Sequence, residues 1–177
     1  MNKKILAIDP GTTESGWILL NIDTIKKTIS IIDKYHSPND KMNKTIYKSE
    51  KFSPGTTVVI EDIVSYGMAI GQSTLDTAKW AGRFFQKAID SGCEDVFYLS
   101  RPEIKLNLCH SKRAKDGNLI RVLKDRFGEF GTKKNPGPLY KLKGMPSGMI
   151  GHAWSALALA IAFININYKE GDKYKIE

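Results

Sequence analysis

Apolar and polar positions along this chain separate strands from helices. Residues 3–9 predict a first strand: the apolar run Ile5 to Ile8 is closed by one carboxylate, Asp9, and Pro10-Gly11-Thr12-Thr13 follow at once. Continuous apolar runs of this length mark strands buried on both faces, and Pro and Gly punctuate their ends. Gly16 to Ile22 and Thr28 to Ile32 predict two more strands, joined by polar Asp23 to Lys27, so the first three should form an antiparallel meander. Polar Asp40 to Glu50 predicts a short surface helix. The β-branched run Thr57-Val58-Val59-Ile60 then opens after Pro54-Gly55 and closes on a second carboxylate, Glu61.

Helical spacing appears next. Leu75, Ala78, Ala81 or Gly82, Phe85 and Ile89 recur on one face of Ser73 to Ser91, and Gly92 is a natural stop. Val96 to Leu99 predicts a fifth strand, and Arg101-Pro102 opens a short helix over Glu103 to Leu108. Lys115 to Phe127 is amphipathic, with Leu119, Val122, Leu123 and Phe127 on one side. Gly131 to Gly148 is rich in Gly, Pro and Lys and predicts a basic, mobile loop. Met149 to Tyr168 reads as a buried Ala/Leu/Ile helix. The expectation is one α/β domain over residues 1–168 and a polar, fraying tail over 169–177, without internal repeats.

An ionised carboxylate at the end of a buried strand needs a partner. If the strands ending in Asp9 and Glu61 lie side by side, the two charges repel unless a cation joins them. Oxygen donors suit Mg²⁺ or Mn²⁺ over softer metals. The plainer role for Asp9 is to cap the Pro10-Gly11 turn.

Composition narrows the partners. The 177 residues are 41% hydrophobic, and the longest apolar stretch, Ala156 to Ile164, is about half of a membrane span. With no signal-peptide pattern at the start, a cytoplasmic protein is expected. Cys93 and Cys109 have no metal-ligand spacing, so reduced thiols are expected. The net charge of +8, from 27 basic against 19 acidic residues, suits a polyanion. Its cations gather in Arg101 to Arg126 and Gly131 to Gly148.

Two protein groups open with a strand, an Asp and a Gly turn: actin-like acetate and sugar kinases, and ribonuclease H-like nucleases. The kinases repeat the turn across two large domains, and no second Asp-Gly-Thr-like turn occurs here. Asp9-Pro10-Gly11, Val59-Ile60-Glu61 and His152-Ala153-Trp154-Ser155-Ala156-Leu157-Ala158, in that order, resemble the RuvC-type Holliday junction resolvases. Arg101-Pro102-Glu103-Ile104-Lys105 is similar to the family segment that carries a lysine near the scissile phosphate. Gly131-Thr132-Lys133-Lys134-Asn135-Pro136-Gly137-Pro138 resembles the phage and prophage branch.

The resemblance implies a ribonuclease H-like fold, with a mixed five-stranded sheet flanked by helices. It implies a metal-dependent endonuclease that cuts four-way and other branched DNA, with two Mg²⁺ or Mn²⁺ ions per site, acting as a homodimer and leaving 5′-phosphate ends. Asp9, Glu61, His152 and Lys105 take the catalytic positions, and Asp9, Glu61, His152 and Asp116 the metal positions. Tyr66, beside Met68, takes the place of a side chain that stacks on a crossover base. Lys112, Arg113, Lys115, Lys133 and Lys134 are the expected DNA contacts. Trp80 and Trp154 belong in the core or an interface, and Asp62 on the opposite sheet face from Glu61.

Two departures stand out. Ser155 occupies the place of the family's last Asp, and Lys115-Asp116 reverses an acidic-then-Lys pair. Asp116 either compensates for Ser155 or caps a helix. The loss of the Asp keeps open a protein that binds branched DNA with weak or lost cleavage. A related nuclease acting on RNA or flaps is a further alternative.

Overall fold

The computed structural model describes residues 2–48, 54–65, 67, 69–93, 95–128, 134–135 and 150–176. The strands are β1 (Asn2–Asp9), β2 (Glu14–Asp23), β3 (Thr28–Pro38), β4 (Thr57–Asp62), β5 (Val96–Ser100) and β6 (Lys175–Ile176). The helices are α1 (Asn39–Thr45), α2 (Gln72–Asp90), α3 (Arg101–Cys109), α4 (Asp116–Phe127) and α5 (Ile150–Asn167), with short 3-10 turns at Ile46–Lys48 and Gly171–Lys173. One mixed sheet has the order β5-β4-β1-β2-β3-β6. β1, β2 and β3 form the antiparallel meander, while β4 and β5 add parallel to β1. This is the ribonuclease H-like arrangement, with a sixth strand beyond the expected five.

That strand comes from the segment expected to fray. Lys175 and Ile176 pair in parallel with Thr28 and Ile29, and Tyr174 is buried beside them. Arg126 holds this end through hydrogen bonds to the carbonyls of Gly171 and Tyr174 and to Asn165 Oδ1.

Strand periodicity sorts the core into two layers. Ile5, Ala7, Ile18, Leu20 and Val59 face α3, α4 and α5. Leu6, Ile8, Leu19, Val58 and Ile60 face α1 and α2. Helix α5 is apolar nearly all round and central, with every residue from Ala156 to Ile164 buried. Each fully buried Leu or Ile side chain contributes about 1.5–3 kcal/mol.

Two expectations change. β3 runs past Ile32 to Pro38, because β2 pairs with it as far as Glu14↔Pro38. Helix α2 buries Ala81, Phe84 and Ala88, whereas Leu75 and Ile89 of the expected apolar stripe are exposed. Phe84 and Phe85 are adjacent and apolar, so two stripes one residue apart were compatible with the pattern. Phe85 stacks on Tyr98 at 4.7 Å instead. Trp154 lies in the core layer under α5, and Trp80 packs, partly buried, against the layer under α1 and α2. Cys93 and Cys109 are free thiols, and no helix among the described residues is long and apolar enough to cross a membrane.

Candidate active site

The register Ile8↔Ile60 places Asp9 and Glu61 side by side at the carboxyl edge of the sheet. Two-residue periodicity turns both side chains toward the α3, α4 and α5 layer, below Ala7 and Val59. They are 9% and 8% exposed. Asp62 takes the opposite face, level with Ser100.

The turn after Asp9 is fixed by a closed set of hydrogen bonds. Gly11 N–H donates to Ser15 Oγ (3.1 Å), Ser15 Oγ donates to Asn39 Oδ1 (2.6 Å), and Asn39 Nδ2 donates to the Gly11 carbonyl (2.9 Å). A Cβ at Gly11 would lie 2.1 Å from the Glu14 carbonyl oxygen, so only glycine closes this turn.

His152, in the first turns of α5, places Nδ1 2.7 Å from Asp9 Oδ2. An ionised carboxylate only accepts hydrogen bonds, which makes Nδ1 the donor and leaves Nε2 free to act as a base. The hydrogen bond with Asp9 holds the imidazole above its ordinary value of 6.5, against the effect of burial. Helix α5 comes this close because residue 16 has no side chain: a Cβ there would sit 2.6 Å from His152 Cβ. On its other side His152 stacks on His36 of β3, with ring centroids 5.2 Å apart. His36 is buried, with Nε2 3.5 Å from Glu14 Oε2, and burial lowers its pKa.

Glu61 has a different partner. Arg101 Nη1 donates to Glu61 Oε2 at 3.0 Å, and Nη2 lies 3.2 Å from Asp116 Oδ1. Lys105, one helical turn on from Arg101, reaches the same Asp116 oxygen at 3.1 Å. Burial and then the Asp9 charge push the Glu61 carboxyl up to about 7, even with Arg101 opposing them. Burial would raise Asp116 too, but Arg101 and Lys105 outweigh it and hold that carboxyl low. Arg101 is aimed by its helix start: Glu103 Oε2 accepts hydrogen bonds from the Ser100 N–H (2.8 Å) and hydroxyl (2.5 Å), and Pro102 sits in the first turn.

The structure therefore brings together Asp9, Glu61, His152, Lys105 and Asp116. Helix α4 starts at Asp116 with Lys115 at the cap, so the Asp116 side chain serves the Arg101 and Lys105 pairs and does not cap. Ser155 and Asp116 line one cavity of about 80 Å³ with Arg101 and Trp154. Lys112 lines a groove of about 320 Å³ with Glu61, Arg101 and Lys105. Arg113, Lys115 and Lys134 are exposed, whereas Tyr66, Met68 and Lys133 lie outside the described residues. Sequence reasoning missed the bridging role of Arg101 and the stack of His36 on His152. The Arg-Pro step at a strand end was the visible signal for Arg101; none marked His36.

As oxygen donors, the paired buried carboxylates suit a hard divalent cation, since one of the two charges is poorly accommodated without it. Among the described residues, no three His, Cys, Asp or Glu side chains are grouped so that they could hold a metal ion together, which leaves Asp9 and Glu61 as a pair of donors.

Solved structures carry the same architecture. RuvC of Thermus thermophilus in complex with a Holliday junction substrate matches at a TM-score of 0.62 and 14% identity, over 90% of this chain and 92% of that one. The chain has the fold of the RuvC-type resolvases. The fowlpox virus Holliday junction resolvase matches at 0.56 and 15% identity, over 90% and 97%. The yeast mitochondrial resolvase Ydc2 matches at 0.53 and 12%, over 91% and 78%. Comparison with protein-family models and with curated proteins gives no match. At these identities the resolvase fold is what is shared.

Proposed function

We propose that this protein is a divalent-metal-dependent endonuclease that cuts branched DNA, four-way junctions above all. The observation that carries the reading is the pair of buried carboxylates, Asp9 and Glu61, side by side on adjacent strands with Lys105 and Lys112 beside them. A protein that only bound DNA would gain nothing from two buried like charges. The resolvase fold, seen in Thermus RuvC and the fowlpox resolvase in complexes with junction DNA, supports branched DNA as the partner.

Asp9 and Glu61 are the residues that would hold Mg²⁺ or Mn²⁺, with His152 alongside as the base. Such an ion polarises the phosphate and acidifies water. His152 Nε2 takes a proton from the attacking water as its oxygen bonds to phosphorus; the P–O3′ bond breaks, leaving a 5′-phosphate and a 3′-oxyanion that takes a proton from solvent to become the 3′-hydroxyl. Asp9 orients the ring through Nδ1. General-base assistance of this kind contributes about 10²–10⁴-fold. Lys105 and Lys112 receive the backbone phosphates, with Arg113, Lys115 and Lys134 as further contacts; Lys133 and Tyr66, outside the described residues, keep the phosphate-contact and base-stacking roles that the resemblance implies.

A four-way junction has two-fold symmetry, which a homodimer matches. The apolar residues left exposed on α2, Leu75 and Ile89, and Tyr98 of β5 on the same sheet face support such a contact. A second reading, binding with weak cleavage, draws on Ser155 and on the neutralisation of Glu61 by Arg101. Labelled junction and linear duplex incubated with Mg²⁺, Mn²⁺ or chelator separate the two. Paired metal-dependent cuts near the branch support the nuclease; tight junction binding without cuts in either metal supports the binder.

A further inference from the structure

Arg101 sits where the charges of the site converge. Its guanidinium bridges Glu61 and Asp116, and Asp9 acts on it as well. Its side chain is 24% exposed, between the cavity lined by Ser155 and Asp116 and the groove lined by Lys105 and Lys112. A two-metal centre holds its ions roughly 3.5–4 Å apart and needs enough carboxylates to balance both. With His152 neutral, as a base must be, Asp9, Glu61 and Asp116 face Arg101 and Lys105, which leaves one net negative charge among these groups. Ser155 adds none. One divalent ion and one phosphodiester balance that centre; a second ion would leave it strongly positive.

Resting on the nuclease reading above, we propose that the centre takes a single divalent ion at Asp9 and Glu61, and that Arg101 supplies the positive charge a second ion would bring. The guanidinium is a fixed cation with N–H donors beyond the two engaged by Glu61 and Asp116, and these suit the oxygens of a phosphate gaining charge. Asp116 holds the guanidinium from the other side. The carboxylate absent at Ser155 is thus the ligand of an ion this site does not use.

The test counts ions. The full-length protein is bound to a four-way junction with phosphorothioate linkages around the branch, and bound Mn²⁺ is measured by electron paramagnetic resonance. One Mn²⁺ per chain is expected, with a Hill slope near one for Mg²⁺ in cleavage of the unmodified junction. Arg101→Gln should keep its Mn²⁺ but lose cleavage by about 10²–10³-fold, with Arg101→Lys recovering part of it. Arg101→Gln combined with Ser155→Asp should take up a second Mn²⁺. Two ions per wild-type chain, or wild-type cleavage by Arg101→Gln, overturns the proposal and leaves the nuclease standing. No bound Mn²⁺ together with no metal-dependent cutting removes the nuclease reading itself. Should Arg101→Gln fail to fold by its melting curve, the wild-type ion count and the Arg101→Lys rate decide.

Discussion

Asp9 and Glu61 end adjacent strands, face the same layer and are equally buried, yet each is held by a different kind of group. Asp9 is met by His152, an imidazole 39% exposed on the last helix that can gain or release a proton. Glu61 is met by Arg101, a permanent cation braced from behind by Asp116. The difference assigns two kinds of work to one sheet edge. The Asp9 side meets a group that can itself gain or release a proton, while the Glu61 side meets a cation that keeps its charge.

Glu61→Gln breaks the comparison most severely. It should lower junction cleavage on the order of 10³-fold and yet raise the melting temperature at pH 8 in chelator, since it removes a buried charge. At ~2–4 °C per kcal/mol for a chain of this size, the gain is measurable by calorimetry. A destabilised Glu61→Gln would mean that the Arg101 pair outweighs burial.

Gly16→Ala attacks the other half. The added methyl would lie 2.6 Å from His152 Cβ and 3.0 Å from the His152 carbonyl carbon, so α5 must move away from β2. A stability loss of about 1–3 kcal/mol is expected, with a larger loss of cleavage than of junction binding, read by thermal melts and band shifts.

The pH dependence of the ion-free protein sharpens the contrast. Glu61 titrates near 7 in the fold against an ordinary 4.5, so its contribution is fully present below 4.5 and is lost as pH rises through about 7. His152, raised above 6.5, contributes fully below 6.5 and loses that contribution as pH rises through its higher folded value. His36, lowered, works the other way, its contribution fading as pH falls through its folded value. Melting temperature in chelator should therefore decline from about pH 6 to 8, and Mg²⁺ should reverse the decline at the alkaline end.

The smallest effect belongs to Asp116→Asn. Its side chain is 64% exposed, so losing its pairs should cost under about 1 kcal/mol. Cleavage should fall by less than about tenfold, as single-turnover rates would show.

The strands that carry Asp9 and Glu61 were legible in the sequence because a buried central strand writes itself as an apolar run, and a carboxylate at its end is conspicuous. The full length of β3 was not. Asp33, Lys34 and Tyr35 look like a loop until β2 pairs with them. That pairing brings His36 against His152, so the stack was invisible for the same reason. Lys175 and Ile176 are strand residues only because Thr28 and Ile29 offer an edge. Arg101 read as the opening of a short helix, since its two carboxylate partners come from β4 and α4 and meet only in the folded chain.

The most direct test is cleavage of a labelled four-way junction by the wild-type protein and by Asp9→Asn, with junction binding measured alongside. Metal-dependent paired cuts near the branch by the wild type, and none by Asp9→Asn at undiminished binding, are predicted. Cuts that persist in Asp9→Asn, or that need no divalent ion, would contradict a centre built on Asp9 and Glu61.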